Sequence, residues 1–263
     1  MTETGIPHDR STSTLGAATV AALRRCLGTR ARWCLLAVTL LLGLLAAAGL
    51  ALAGPPGDRT FAKLSDLVQS LMSVVVPAFG ILLARDLRRR AGITRLMPTL
   101  LAAVLFAAAV GLFGFLVCVA ALAMTTSTAP QPWRHVGIIA AGSVLVQVVA
   151  QLVGTGLGLL MRRPALAFAA SIVLPLGLWI LLGAVEVLNP AQALTPYSTV
   201  RHLLSGQMSA LNWVQWLAVL LIWGVGLNAL GAARLRRDGR PAPAPGRAEP
   251  VAEPVAGDHQ GQR

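Results

Sequence analysis

MPTLLAAVLFAAAVGLFGFLVCVAALAM, residues 97–124, carries no charged side chain and a single threonine. Crossing the ~30 Å hydrocarbon layer of a bilayer takes about 20 apolar residues at 1.5 Å each. The run therefore reads as a membrane span with length to spare. Its apolar residues do not alternate with polar ones, as a barrel strand would require. Outward from it, runs of the same kind recur at 33–53, 64–83, 136–161, 164–185 and 213–233, giving six predicted spans. The 64–83 run is the most diluted, by Asp66, Gln69, Ser70 and Ser73. The two longest, 97–124 and 136–161, should tilt or project beyond the bilayer. Of the 263 residues 56% are hydrophobic and 12% charged, with a mean hydropathy of +0.70. Soluble domains carry about 25% charged residues, and this much apolar surface exceeds what one aqueous core could bury. The expected fold is an all-α membrane protein.

The net charge of +12 comes from 22 basic and 10 acidic residues. Arginines cluster between long uncharged runs instead of lining one exposed face, so nucleic acid is not an expected partner and membrane lipid is. Six spans put Arg24, Arg25, Arg30, Arg32, Arg85, Arg88, Arg89, Arg90, Arg95, Arg162, Arg163, Arg234, Arg236, Arg237, Arg240 and Arg247 on one side. The other side receives Arg59, Lys63, Arg134 and Arg201. The positive-inside rule then makes both termini cytoplasmic. Residues 1–13 read as a tail and 14–237 as one six-span domain; 238–263, rich in Pro and Ala, read as a disordered cytoplasmic tail. Residues 1–32 are polar and basic, which does not suit a signal peptide. Within the domain, 14–32 reads as an interfacial helix, or a plain flanking one, with arginines at lipid phosphates. The connection 187–212, broken by Pro190, Pro196 and Gly206, reads as short external helices on or dipping into the membrane.

Chemistry-bearing residues are sparse. Lys63 sits in no glycine-rich phosphate loop, so the chain is not expected to bind and hydrolyse ATP in that manner by itself. His8, His135, His202 and His259 fall outside the spans, and no His, Cys or carboxylate cluster suits a metal. Cys26, Cys34 and Cys118 lack metal or redox spacing and read as apolar fillers. No enzyme activity, cofactor or metal is expected. Asp66, in the first turn of the second span, is either a proton or cation site or a carboxylate held by the helix end and interfacial water. Gln147 and Gln151, spaced i, i+4, share one face of the fourth span and should meet either another helix or a substrate path. Gly154 and Gly158 continue that span as a small-xxx-small pair, and Trp33, Trp133, Trp213 and Trp216 read as interface anchors.

The segment 84–98, ARDLRRRAGITRLMP, is either an orientation signal or a docking helix for a cytoplasmic partner. As a docking helix it would pack Leu87 or Ile93 into a partner's cleft. From here the order of features resembles a family, the six-span ABC type 2 exporter permeases. The resemblance covers roughly residues 14–237. It starts at LRRCLGTRARW (23–33), running into the first span. It continues through Arg85-Asp86, basic residues, Gly92-Ile93 and Pro98 to MRRPALA (161–167), LPLGLWILLG (174–183), NPAQALTPYSTVRHLLSG (189–206) and ALGAARLRRDGR (229–240). Two features depart from the family pattern: the acid after the second span is displaced to Asp86 inside an arginine run, and the loop after it is short.

The resemblance implies a permease subunit that pairs with itself or a sister permease and with two copies of a separate cytoplasmic ATP-binding subunit. Arg85, Asp86, Leu87, Arg88, Arg89, Arg90 and Ile93 would then form the ATPase-coupling segment. Gln147, Gln151 and Asp66 would belong to a substrate path or to helix packing. The implied cargo is drug-, antibiotic- or lipid-like, exported across a bacterial plasma membrane, with antibiotic resistance as one outcome. Two other classes compete. A proton-coupled secondary transporter would need Asp66 to titrate in the membrane, and a non-transporting scaffold or immunity protein would act without any ATPase.

Overall fold

Thr29 starts a helix: its hydroxyl accepts the Arg32 backbone N–H at 3.4 Å, capping the first long apolar rod. The computed structural model describes residues 10–89 and 96–238, and among these all regular structure is helical. In chain order the elements are α1 (Arg10–Cys26), α2 (Arg30–Ala53), α3 (Phe61–Arg89), α4 (Leu96–Ala123), α5 (Val136–Leu160) and α6 (Pro164–Gly183). Then come α7 (Pro196–Ser205), α8 (Ala210–Val219) and α9 (Leu227–Asp238). Short 3-10 turns occupy Pro56–Asp58 and Glu186–Leu194, and a π segment, Leu220–Gly226, joins α8 to α9. Among the described residues six helices are long and apolar enough to cross a bilayer: α2 to α6, and the continuous Ala210–Arg237 rod. This is an all-α, multi-pass membrane protein.

At the centre stands α5, packed on α3, α4, α6, α7 and α9. Glycines set how closely the helices approach. A Cβ built on Gly154 would lie 2.6 Å from Pro77 Cα, and one on Gly158 would lie 2.8 Å from Ile81 Cα. Nearer the start of α5, a Cβ on Gly111 of α4 would lie 2.6 Å from the Ser143 carbonyl. Lipid gives little hydrophobic drive between helices, so such backbone-to-backbone packing carries much of the association. The outermost span is α6, which buries only Ala167 and Ser171.

Several elements differ from the sequence expectation. Read as 64–83, the second span is in fact the 29-residue α3, because nothing between Phe61 and Arg89 stops the helix at the hydrocarbon edge. Asp66 therefore lies in the second turn of its helix, not the first. The last span begins at Ala210 and absorbs the end of the predicted external connection. What remains of that connection is the 3-10 turn and α7, closed by Gly206 at φ 73°, a left-handed cap that glycine adopts without strain. Trp216, expected as an interface anchor, is buried against Val146, Leu203 and Leu204. α1 begins at Arg10, ahead of the expected 14, and packs on α4 through a face that includes buried Ala22 and Cys26.

Candidate functional site

Three polar arrangements stand out in this apolar bundle. The first is a glutamine seam between α3 and α5. Gln147 Nε2 donates to Gln69 Oε1 at 2.8 Å and to the Gln69 carbonyl at 3.0 Å. Gln69 Nε2 in turn donates to the Gly111 carbonyl of α4 at 3.1 Å. Two turns further along α3, Pro77 interrupts the helical ladder, since its ring nitrogen has no hydrogen to donate. In the amide orientation that satisfies both neighbours, Gln151 donates to the Val76 carbonyl at 2.6 Å and accepts from the Gly80 N–H at 3.2 Å. All three glutamines are fully buried. Gln147 and Gln151 thus meet α3, and neither belongs to the lining of the cavity among α3, α5, α6 and α7. Gln69, the partner of Gln147, was visible in the sequence only as a residue diluting its span.

The second arrangement is a cavity of about 430 Å³ between α3, α5, α6 and α7. Asp66, Ser70, Ser73 and Pro77 line one wall from α3; Ser171 and Pro175 face them from α6, and Tyr197 and Arg201 from α7. Both walls hold the same pattern, Ser-x-x-x-Pro, as SVVVP at 73–77 and SIVLP at 171–175. In each, the proline removes the N–H that would have met the carbonyl of that serine. Each serine hydroxyl bonds back along its own helix, Ser73 to Ser70 O at 2.8 Å and Ser171 to Phe168 O at 2.7 Å. Asp66 and Arg201 are the charged members of this lining. Proline-bearing helices are where spans bend, so both walls carry a potential hinge.

The third arrangement is the arginine-rich end of the bundle. Arg32, nearly buried at the start of α2, reaches Asp86 Oδ2 at 2.6 Å near the end of α3 and also donates to the Arg25 carbonyl. Arg88 donates to Met161 O at 2.6 Å and to Leu159 O, meeting carbonyls left over at the end of α5. Leu87, expected to pack into a partner's cleft, is instead buried in this chain's own core with Ala84 and Leu159. Arg85 and Arg89 are exposed. Arg90 and Ile93 lie outside the described residues. Among the described residues no group of three His, Cys, Asp or Glu comes together to hold a metal ion.

Fold and site together define a polytopic helical membrane protein with a cavity among α3, α5, α6 and α7 and an arginine-rich end. Comparison with protein-family models and with curated protein sequences returns no match.

Proposed function

We propose that this chain is the membrane-spanning permease subunit of an ATP-binding-cassette exporter. It would pair with a second permease copy or sister chain and take its energy from two copies of a separate cytoplasmic ATP-binding subunit. One observation carries this reading: the end of α3 is tied to two neighbours at once, to α2 through Arg32–Asp86 and to α5 through Arg88–Met161. A partner pressing on residues 84–98 would therefore shift three spans together. The wall of the cavity is built on the same α3, whose Pro77 lies between the tied end and Asp66. Displacement of the α3 end would reach the cavity through that proline. Mostly apolar, with serines and one charge of each sign, the cavity suits an amphiphilic cargo of drug, antibiotic or lipid-like type. On this reading both termini are cytoplasmic and the membrane is a bacterial plasma membrane.

Reconstitution with the partner ATPase tests the proposal. Asp86→Asn should leave the ATPase bound while lowering transport per ATP hydrolysed several-fold. Transport that proceeds without any ATPase sinks the reading. A second reading rests on Asp66 lining the cavity: a proton-coupled transporter. It predicts transport that survives ATP depletion, collapses with an uncoupler and is abolished in Asp66→Asn.

A further inference from the structure

The arginine-rich end contains a feature that the exporter reading does not use, a cavity of about 250 Å³ where α3, α5 and α6 meet. We propose that this cavity binds the phosphate headgroup of an anionic phospholipid. Arg85, Arg88 and Arg89 line it from α3 and Arg162 from the α5–α6 turn, and Pro164 opens the helix that forms its outer wall. Arg85, Arg88 and Arg89 are spaced i, i+3, i+4, which places them on one helical face. No acid belongs to the lining. Asp86, the carboxylate of this stretch, turns the other way to Arg32. Arg88 is fixed in place by the α5 carbonyls of Leu159 and Met161, so part of the positive field is preorganised. The first turn of α6 adds backbone N–H groups at its positive end.

Depth in the membrane favours a lipid over a free anion. With 20 residues, α6 is about 30 Å long, the thickness of the hydrocarbon layer, so its first turn lies at headgroup level. The face of α6 that points away from the bundle exposes Leu166, Val173 and Ile180 at 56%, 63% and 56%, so this span borders lipid directly. Basic cavities between spans at a membrane surface are the arrangement that binds acidic headgroups. The inference holds whatever the protein transports, because it uses only the cavity, its charges and its depth.

The test uses the full-length protein in a neutral detergent. Its thermal midpoint is followed while short-chain phosphatidylglycerol, phosphatidylcholine of the same chains, or inorganic phosphate is added. Only phosphatidylglycerol should raise the midpoint in a saturable way. Arg85→Gln with Arg89→Gln should weaken half-saturation about thirtyfold, or roughly 2 kcal/mol at 1.4 kcal/mol per tenfold. Arg162→Gln, acting from the opposite wall, should weaken it in the same direction. Arg236→Gln with Arg237→Gln removes the same charge from exposed positions on α9 and should leave it unchanged. The proposal is overturned by an equal response to phosphatidylcholine, by wild-type affinity in the Arg85/Arg89 pair, or by equal weakening in the α9 pair. Inorganic phosphate that matches phosphatidylglycerol would make this a free-anion site and overturn the lipid assignment.

Discussion

A methyl group added at Gly154 would meet Pro77 Cα at 2.6 Å, whereas one added at Gly177 would meet nothing within 4 Å. The obstacle at Gly154 is backbone, which cannot rotate aside, so Gly154→Ala must push α3 and α5 apart. Thermal unfolding in detergent should register a loss of about 1–3 kcal/mol for Gly154→Ala. Gly177→Ala should be neutral or slightly stabilising; equal behaviour of the two variants would remove the close-packing account. Cys26 allows a second test at this scale. Burial pushes its thiol up to about 11, against a weaker downward pull from Arg32 and Arg25. A raised thiol pKa means less thiolate below it, so maleimide should label Cys26 roughly a hundredfold more slowly at pH 8 than in the denatured chain. The rate should climb about tenfold per pH unit until near the raised pKa. Labelling in a Cys34→Ser, Cys118→Ser background as fast as in denaturant would contradict the burial. For the glutamines, i, i+4 spacing in the sequence already required a polar partner. That this partner is Gln69 and the Val76–Gly80 turn depends on helix register, which one helix alone does not encode.

At the scale of elements, spans were legible because charge-free length is a one-dimensional property, and their ends were not, because amphipathic turns beyond the hydrocarbon look alike in helix and loop. The extension of α3 to Arg89 illustrates this: its last turns are held by contacts from α2 and α5, with Arg32 on Asp86 and the α5 carbonyls on Arg88. Nothing in residues 84–89 alone announces either partner. The same contacts explain why Leu87 faces inward, since the face carrying Ala84 and Leu87 is the one that meets Leu159. The tie between α2 and α3 is measurable. The Arg32 side chain is 9% exposed and that of Asp86 36%, so the pair lies at the rim of the bundle, neither in dry core nor in open solvent. A double-mutant cycle on Arg32→Gln and Asp86→Asn should give a coupling energy of about 1–2 kcal/mol, within the range for residues in direct contact. Additive losses would show that the two helix ends are not energetically joined, and the lever in the proposed mechanism would fail with them.

The whole molecule sorts its charges by end. Contacts of Arg88 with Met161, and of Leu235 with the Ala84–Leu87–Leu159 cluster, put the arginines of α3, the α5–α6 turn and α9 at one end. At the opposite end Arg59 donates to Thr126 O at 3.2 Å, the Phe61 N–H to Pro132 O at 2.8 Å, and Gly206 packs on His135. That end holds Arg59, Lys63, Arg134 and Arg201, of which Lys63 pairs with Asp58. For the described arginines this is the partition that sequence counting anticipated; Arg90, Arg95, Arg240 and Arg247 lie outside the described residues. Which end faces the cytoplasm follows from the cost of moving arginine clusters across a membrane during insertion, so the crowded end should stay inside. In sealed cells a membrane-impermeant maleimide should therefore label Gln207→Cys and spare Arg89→Cys; permeabilised cells should label both. Both positions are exposed in the fold, so burial cannot mimic protection at either one. The opposite pattern, with Arg89→Cys labelled and Gln207→Cys protected, would invert the molecule and put residues 84–98 out of reach of any cytoplasmic ATPase.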